Sequence, residues 1–204
     1  MVTKQIKPKP KDREATEERL LLAAEQVFSK YGFKGATTRM IAKKANINVA
    51  LITRYFDGKY GLLLKLVERK GNEIHYMSLP YPIKDSVTEE CLAFAFQKYA
   101  TLKKDKAFFN IVIAQFLTDP IFLKQFQETL LQFDKNFTDF ESRLNELINK
   151  KKMVKDVPIK KVFEILETFI FGLIIGQTCK PLPEDEVLND LELFVRMYCK
   201  SLEP

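Results

Sequence analysis

The sequence predicts an all-α protein of about nine helices, and two observations support this fold class. Apolar residues recur three and four positions apart through most of the 204 residues, which is the spacing of one helix face. Nowhere do apolar and polar residues alternate as they do in a half-buried strand. Pro80 and Pro82 interrupt the helical pattern and predict a loop over 79–85. We therefore expect a flexible tail at 1–13, a helical domain at 14–76 and a second helical domain at 77–204.

Composition narrows the class of protein. With 46% hydrophobic residues the chain can bury a core, and its three widely spaced cysteines predict free thiols in a reducing compartment. The first fifteen residues are rich in Lys and Pro without an apolar segment. The most apolar stretch, 168–176, is shorter than the roughly 20 residues of a membrane span. We expect a soluble, cytoplasmic protein without a signal peptide.

Charge is distributed unevenly along the chain. Residues 1–70 contain 16 Lys/Arg and 7 Asp/Glu, a balance of +9, whereas residues 71–204 contain 17 and 20, a balance of −3. A basic front predicts contact with a polyanion, although a charge excess alone also fits a solvated surface. We interpret the basic residues of the tail as a sequence-neutral electrostatic arm. They are Lys4, Lys7, Lys9, Lys11 and Arg13.

The first two helices are predicted from periodicity and end signals. Helix 1 begins near Thr16 and ends before Gly32, which is placed for a left-handed cap. Its apolar positions keep the 3-4 spacing without a gap at Leu20, Ala23, Ala24, Val27, Phe28 and Tyr31. Thr37 caps a short second helix over 38–45, whose small residues allow close packing. Asn46 then supplies the left-handed residue of a tight turn.

A third short helix follows this turn at once. Asn48 is placed to cap a helix over 49–55, with Ile52 and Phe56 turned inward. That arrangement leaves one face without a core partner. The outward residues are Val49, Ala50, Leu51, Thr53 and Arg54. Two short helices joined by a tight turn predict a helix-turn-helix, in which the first helix braces a second one that enters the DNA major groove.

The later helices are predicted from caps and apolar stripes. Asp57 is placed to cap a fourth helix that runs to about residue 76, and Asp119-Pro120 is a strong start signal. One stripe keeps 3-4 spacing for over three heptads and predicts a single long helix over 120–152. The remaining helices are expected at 86–102, 105–118, 158–179 and 184–201.

Together these residues resemble the N-terminal domain of the tetracycline-repressor (TetR) family. The resemblance covers about 48 residues, a quarter of the chain, and some twenty positions fall in register. The segments that carry it are Thr16-x-x-Arg19, Ala23-Ala24-x-x-Val27-Phe28-x-x-x-Gly32, Thr37-Thr38-x-x-Ile41-Ala42-x-x-Ala45 and Leu51-Ile52-x-Arg54-Tyr55-Phe56-x-x-Lys59-x-x-Leu62-Leu63.

The resemblance implies a ligand-responsive transcriptional regulator, a repressor that a hydrophobic small molecule releases from its operator. It implies a homodimer whose two reading helices enter successive major grooves of a near-palindromic DNA site. It also implies that Arg39 reaches base edges and that Thr38, Tyr55 and Lys59 contact phosphates. The full set expected at DNA is Thr38, Arg39, Asn48, Val49, Ala50, Leu51, Thr53, Arg54, Tyr55 and Lys59.

Three departures from the family pattern bear on this interface. Asn46 stands where the family usually has glycine, and Thr53 stands where tyrosine is common. Tyr60-Gly61 replaces the more usual acidic residue after the lysine. A solvated Arg39, a half-buried Tyr55 and ordinary helix packing of 49–51 remain alternative interpretations. So does a helical carrier or interaction module that has lost DNA binding.

The back domain is rich in phenylalanine, with fourteen of the seventeen between Phe94 and Phe194. The resemblance implies an apolar ligand pocket among helices 5 to 8, although a phenylalanine stripe also fits plain core. The predicted pocket residues are Phe96, Tyr99, Phe109, Ile113, Phe116, Phe126, Phe133, Phe137, Leu166 and Phe169. Polar contacts are expected from Asn110, Gln115 or Gln177.

The last two helices are the predicted dimer interface. Gly172-x-x-x-Gly176 places two small residues on one helix face, and the family dimerises through its last two helices as a four-helix bundle. Packing within one chain is the competing explanation. The expected interface is Phe171, Gly172, Ile175, Gly176, Leu188, Leu191, Phe194, Val195 and Tyr198.

An enzyme has little support in the sequence. His75 is the only histidine, and it has no partner at metal-ligand spacing. No Gly-rich phosphate loop, HExxH, GxSxG or Cys/His pair is present. We therefore expect neither catalysis nor a metal or cofactor.

Overall fold

The computed structural model describes residues 10–75, 79–130 and 137–204, and over these ranges the chain is helical without a strand. The all-α prediction is confirmed. Within the described ranges the ten helices are α1 (Pro10–Gly35), α2 (Thr38–Ala45), α3 (Ala50–Phe56), α4 (Lys59–His75), α5 (Val87–Lys104), α6 (Lys106–Thr118), α7 (Pro120–Leu130), α8 (Phe137–Asn149), α9 (Ile159–Cys179) and α10 (Glu184–Cys199).

Helix α1 begins earlier than predicted. It starts at Pro10, so residues 10–13, which we expected in a flexible tail, are helical. The Thr16 hydroxyl donates to the Asp12 carbonyl at 2.6 Å, which places Thr16 inside the helix. Gly32 has φ 66° and ψ 172°, so the straight part of the helix ends where predicted. Residues 1–9 lie outside the described residues.

The predicted long helix over 120–152 is described only in part. Residues 131–136 lie outside the described residues, between the last residue of α7 and the first of α8. Whether one continuous helix joins them stays a prediction, and the predicted pocket residue Phe133 falls in the same gap. The start signal at Asp119-Pro120 is confirmed, because the Asp119 carboxylate accepts the N–H groups of Ile121 and Phe122 at 3.0 and 3.1 Å.

The described residues form two compact units. The first contains the residues up to Gly71 together with Asn110–Thr129, and the second contains Asn72–Phe109 and Leu130–Pro204. This division differs from the predicted domain boundary at residue 77, because residues 110–129 belong with the N-terminal helices. The reason is aromatic packing: the fully buried Phe122 ring lies 5.6 Å from the Tyr60 ring at the start of α4.

The second unit has its core between α5, α8, α9 and α10. Its fully buried residues include one side chain or more from each of these helices. Among them are Val87, Cys91, Ala95, Leu144, Leu147, Val162, Leu166, Ile170, Leu191, Val195 and Cys199. Each of these residues buries apolar surface in the core. Their helical spacing in the sequence is the pattern from which the helices of this unit were predicted.

A buried ion pair in the second unit orders the loop before α5. Glu90 is fully buried, and its carboxylate accepts from Arg143 at 3.2 Å and from the Lys84 N–H at 2.9 Å. The same guanidinium donates to the carbonyls of Tyr81 and Leu79 at 3.1 and 3.2 Å. The loop predicted at 79–85 is therefore irregular in backbone but held by hydrogen bonds.

Helix α9 is apolar along most of its length. Of the helices described, it alone is by itself long and apolar enough to cross a membrane, with a mean hydropathy of 1.6 over a window that is 22% buried. Helices α6 and α7 reach the same criterion only jointly, across a bend of 116°. Core helices of soluble proteins pass this test too, so it is weak evidence for a membrane span.

We expect Arg143→Ala to lower the free energy of unfolding by about 3–5 kcal/mol, because it leaves the Glu90 carboxylate buried without its cation. Urea denaturation measures the change. Arg196→Ala is the matched control, since Arg196 pairs with Glu192 on an exposed face and its loss costs less than about 1 kcal/mol. Equal effects of the two substitutions would contradict the account of the loop.

Candidate nucleic-acid interface

The first helix of the helix-turn-helix is capped as predicted. The Thr37 side chain accepts the Met40 N–H at 3.2 Å at the start of α2. Asn46 ends the helix in the left-handed conformation, with φ 53° and ψ 51°. Asparagine tolerates this conformation better than most residues, which explains how it replaces glycine here. Ile41, Ala42 and Ala45 are buried, as the packing of two short helices requires.

Arg19 of α1 fixes the turn between α2 and α3. Its guanidinium donates to the carbonyl of Ala45 at 2.6 Å and approaches the carbonyl of Asn46 at 3.4 Å. These carbonyls lie at the C-terminal end of α2, where a cation is favoured by the helix dipole. Arg19 belongs to the sequence motif, but its partner lies 26 residues away, so the sequence alone did not assign it this contact.

Helix α3 begins one residue later than predicted. The Asn48 side chain accepts the Ala50 N–H at 2.9 Å, so it does satisfy a donor at the helix start. Ile52 and Phe56 are buried as expected. The prediction that Asp57 caps the next helix is wrong. Asp57 ends α3 in the left-handed conformation, and its N–H donates to the Thr53 carbonyl at 3.0 Å.

The junction between α3 and α4 requires glycine at residue 61. A Cβ there would lie 1.7 Å from the carbonyl oxygen of Phe56, which no real structure tolerates. The C-terminal end of α3 therefore rests directly against the first turn of α4. The sequence showed Tyr60-Gly61 only as a departure from the family pattern. The structure explains the glycine as a close approach of two backbones.

Lys59 is held by contacts within the protein. Its ammonium donates to the carbonyls of Phe33 and Ala36 at 2.7 and 2.9 Å, and it lies 4.4 Å from the centre of the Phe33 ring. Desolvation by burial lowers the pKa of Lys59. Two of its three N–H groups are thus used, which leaves one for the phosphate contact implied by the family resemblance. Lys59 therefore ties α4 to the end of α1.

Tyr60 joins the helix-turn-helix to the α6–α7 corner. Its ring packs edge-on against Phe33 and Phe122, at 5.7 and 5.6 Å. Its buried hydroxyl lies beside Asp119 without a hydrogen bond of good geometry. Burial raises the pKa of Tyr60. The Tyr60 hydroxyl is the main cause that lowers the pKa of Asp119, and the Phe122 N–H is the second cause. The corner therefore presents a charged carboxylate at the start of α7.

The predicted DNA-facing residues fall into two groups by exposure. Thr38, Leu51, Tyr55 and Lys59 are half-buried. The exposed group is Arg39, Asn48, Val49, Ala50, Thr53 and Arg54. Of the five residues predicted to face outward around α3, Val49, Ala50, Thr53 and Arg54 are exposed, whereas Leu51 is half-buried.

Arg13 extends this surface, although the sequence placed it in the tail. Its guanidinium lies 5.0 Å from the centre of the Tyr55 ring and pairs with Glu17 at 2.6 Å. The hydrogen bond that Arg13 donates to the Glu17 carboxylate is the main cause that raises the pKa of Arg13, which stays charged in any case. The N-terminal turns of α1 thus hold a cation next to the reading helix.

The predicted ligand-pocket residues are distributed over separate clusters. Phe116 and Phe126 pack together in the first unit, 4.2 Å apart, and both contact Phe122. In the second unit the partners are Phe109 with Phe171, Phe137 with Phe163, and Phe169 with Phe194. Tyr99 and Leu166 are buried in the core, whereas Phe96 and Ile113 are half-buried. A pocket common to these residues stays a prediction.

Two of the predicted dimer residues are not at a surface. Leu191 and Val195 are fully buried within the chain, because their face of α10 packs against the core of the second unit. Phe171, Leu188, Phe194 and Tyr198 are half-buried, whereas Gly172, Ile175 and Gly176 are exposed. The exposed apolar and glycine residues of these two helices, which replace the predicted set, are Ile165, Gly172, Ile175 and Gly176 of α9 with Leu193 and Met197 of α10.

The comparisons with known proteins agree with this geometry. The profile of bacterial regulatory proteins of the tetR family matches residues 20–66. The HTH-type transcriptional regulator YttP of Bacillus subtilis (strain 168) is 43% identical over 53 residues, which are 26% of this chain and 26% of that protein. The match therefore covers about a quarter of the length of YttP.

Solved structures extend the likeness to the whole fold. A TetR-family transcriptional regulator from Mesorhizobium loti is 14% identical, with a TM-score of 0.75 over 94% of this chain and 98% of that one. FadR from Bacillus subtilis, solved in complex with stearoyl-CoA, is 18% identical, with a TM-score of 0.65 over 87% and 96%. Residues 20–66, which contain the helix-turn-helix, are similar to the tetR family of bacterial regulatory proteins, and the described part of the chain shares the all-helical fold of these solved structures.

We expect Gly61→Ala to destabilise the protein by about 2 kcal/mol or more, because the added methyl group displaces the Phe56 carbonyl and strains the α3–α4 junction. Thermal denaturation measures the loss. Gly35→Ala is the control, since a Cβ there meets Tyr31 at an ordinary 3.6 Å. A Gly61→Ala protein as stable as the control would disprove the close approach.

Proposed function

We propose that the protein is a DNA-binding transcriptional regulator, a repressor that a hydrophobic small molecule releases from its operator. The observation that carries the proposal is the exposed outer face of α3, fixed by the Asn46 turn and by the Arg19 hydrogen bonds. A helix braced in this way and left without a core partner suits the DNA major groove. In this proposal the protein acts in the cytoplasm and catalyses no reaction.

Contacts with DNA are assigned by exposure and charge. Arg39 is exposed next to the start of α2 and can bind guanine O6 and N7 through two N–H groups. Val49 and Ala50 are exposed apolar residues at the start of α3, suited to thymine methyl groups. We assign phosphate contacts to Thr38 and Tyr55, with Arg13 beside Tyr55. Lys59 contributes mainly by anchoring α4.

A carrier or interaction module without DNA binding is the alternative. Two observations favour it: the reading face is apolar at Val49 and Ala50, and Lys59 is occupied by carbonyl partners. The exposed Arg39 of α2, the exposed Arg54 of α3 and Arg13 beside Tyr55 favour DNA instead, because a protein partner does not need several cations on these helices. We therefore retain the regulator as the proposal.

The ligand response is proposed to pass through the α6–α7 corner. Phe122 at the start of α7 contacts Tyr60, and Tyr60 is flanked by Lys59 and Gly61, which fix α4 to α1 and to α3. A shift of α7 therefore moves α4 and, through the Phe56 contact, the reading helix. A ligand acts only if it binds the two shapes with different affinity. The stearoyl-CoA bound by the similar FadR fits a hydrophobic ligand class.

Homodimerisation is proposed through α9 and α10. Ile175, Leu193 and Met197 are 41%, 59% and 69% exposed, which is unusual for large apolar side chains on neighbouring helices. A side chain at Gly172 or Gly176 would meet no atom of the same chain within 4 Å. Packing inside one protomer therefore does not require glycine there, whereas close approach of a partner helix does.

For DNA binding, we expect Arg39→Ala to weaken operator affinity by about 1–3 kcal/mol and to relax base preference at one position in each half-site. Fluorescence anisotropy at several salt concentrations measures both effects. Lys155→Ala, which removes an exposed cation from the loop before α9, should change nothing. Unchanged affinity and specificity in Arg39→Ala would favour the carrier alternative.

For the dimer, we expect Ile175→Asp to weaken self-association by about a hundredfold or more, because it buries an unpaired carboxylate in an apolar interface. Sedimentation velocity over a concentration series measures this. Ile83→Asp is the matched control, since Ile83 is an exposed isoleucine of the loop before α5. A monomeric wild-type protein, or an Ile175→Asp protein that remains dimeric, would reject this interface.

A further inference from the structure

The first unit contains an open groove that the proposed function does not use. It lies between the C-terminal end of α1 and the second half of α6 and measures about 390 Å³. This volume is within the range of small-molecule sites. Its apolar lining includes Tyr31, Phe33, Ile111 and Ala114. Of the described residues predicted for the ligand pocket of the back domain, only the polar Asn110 and Gln115 line this groove.

One polar side chain of the groove has no partner. Gln115 is only 7% exposed, and its side-chain amide makes no hydrogen bond to any residue that the structure describes. The amide is not among the buried polar atoms that lack a partner, so the small accessible part of Gln115 includes its amide, which is open to water or to a ligand. Because Gln115 lines the groove, its amide can form a hydrogen bond with a molecule that enters there. Gln115 was predicted as a ligand contact, but in a different pocket.

The charge around the groove selects the kind of ligand. Lys34 is the charged residue among those that line it, and no Asp or Glu of the described chain does so. At the rim, the Lys30 ammonium lies 5.2 Å from the centre of the Tyr31 ring. Two cations without a carboxylate disfavour a basic occupant such as residues 1–9 of this chain and favour an anion.

We propose that this groove binds a small aromatic carboxylate. The aromatic ring packs between Phe33 and Ile111, the carboxylate pairs with Lys34, and the Gln115 amide donates to a ligand oxygen. The binding itself is independent of the proposed DNA activity, and only its regulatory consequence rests on it. That consequence follows from Phe33, whose ring contacts Tyr60 and Lys59 at the start of α4.

Calorimetric titration of the full chain with 2-naphthoate tests the proposal. Wild-type protein should bind it at one site per chain, and Ala114→Trp should weaken binding by about tenfold or more, because the indole fills the groove. Ala114 is exposed on α6, so the substitution does not disturb the core. Ala107→Trp is the matched control at another exposed alanine of α6 outside the groove, and it should bind as the wild type does.

Two further variants test the polar contacts. Lys34→Gln should weaken 2-naphthoate by about threefold to tenfold and leave the uncharged 2-naphthamide unaffected. Gln115→Leu should weaken both compounds, and a thermal melt establishes that this variant is folded. No binding of 2-naphthoate up to its solubility limit, or equal binding by Ala114→Trp and wild type, would overturn the proposal. Because no DNA is present, this failure is distinguishable from a failure of operator binding.

Discussion

The contact on which the N-terminal helices depend is the approach of the Phe56 carbonyl to the backbone of Gly61. At this point the last turn of α3 meets the first turn of α4 with no room for a side chain. The two residues before Gly61 hold α4 to two further helices. Lys59 ties α4 to the carbonyls at the end of α1, and Tyr60 packs against Phe122 of α7. Three consecutive residues thus fix α4 against α1, α3 and α7, and any change in α7 reaches the reading helix through them.

Much of the helix-turn-helix could be predicted because its determinants are local. The Thr37 cap, the left-handed Asn46 and the left-handed Gly32 each follow from the residue type and its immediate neighbours. Asp57 shows the limit of this reasoning. An aspartate at this position is compatible both with a cap of α4 and with the end of α3. The geometry of Gly58 and Gly61 selects the end of α3.

The contacts that hold the site together could not be predicted, because they join residues far apart in the sequence. Arg19 reaches Ala45 across 26 positions, and Lys59 reaches Phe33 across the same number. Tyr60 meets a ring 62 positions later, Phe122. Periodicity also identifies which residues are apolar without saying which neighbour they pack against. The phenylalanines of the back part were therefore grouped into one pocket, and Leu191 and Val195 were assigned to the wrong face of α10.

The central claim is that two copies of the α3 reading face engage one DNA duplex. Selection of bound duplexes from a random pool tests it most directly. The account predicts enrichment of a near-palindromic site with two half-sites about one helical turn of DNA apart, or a multiple of it. A single unpaired half-site would contradict the dimer, and a pool that shows no sequence enrichment would contradict DNA recognition itself.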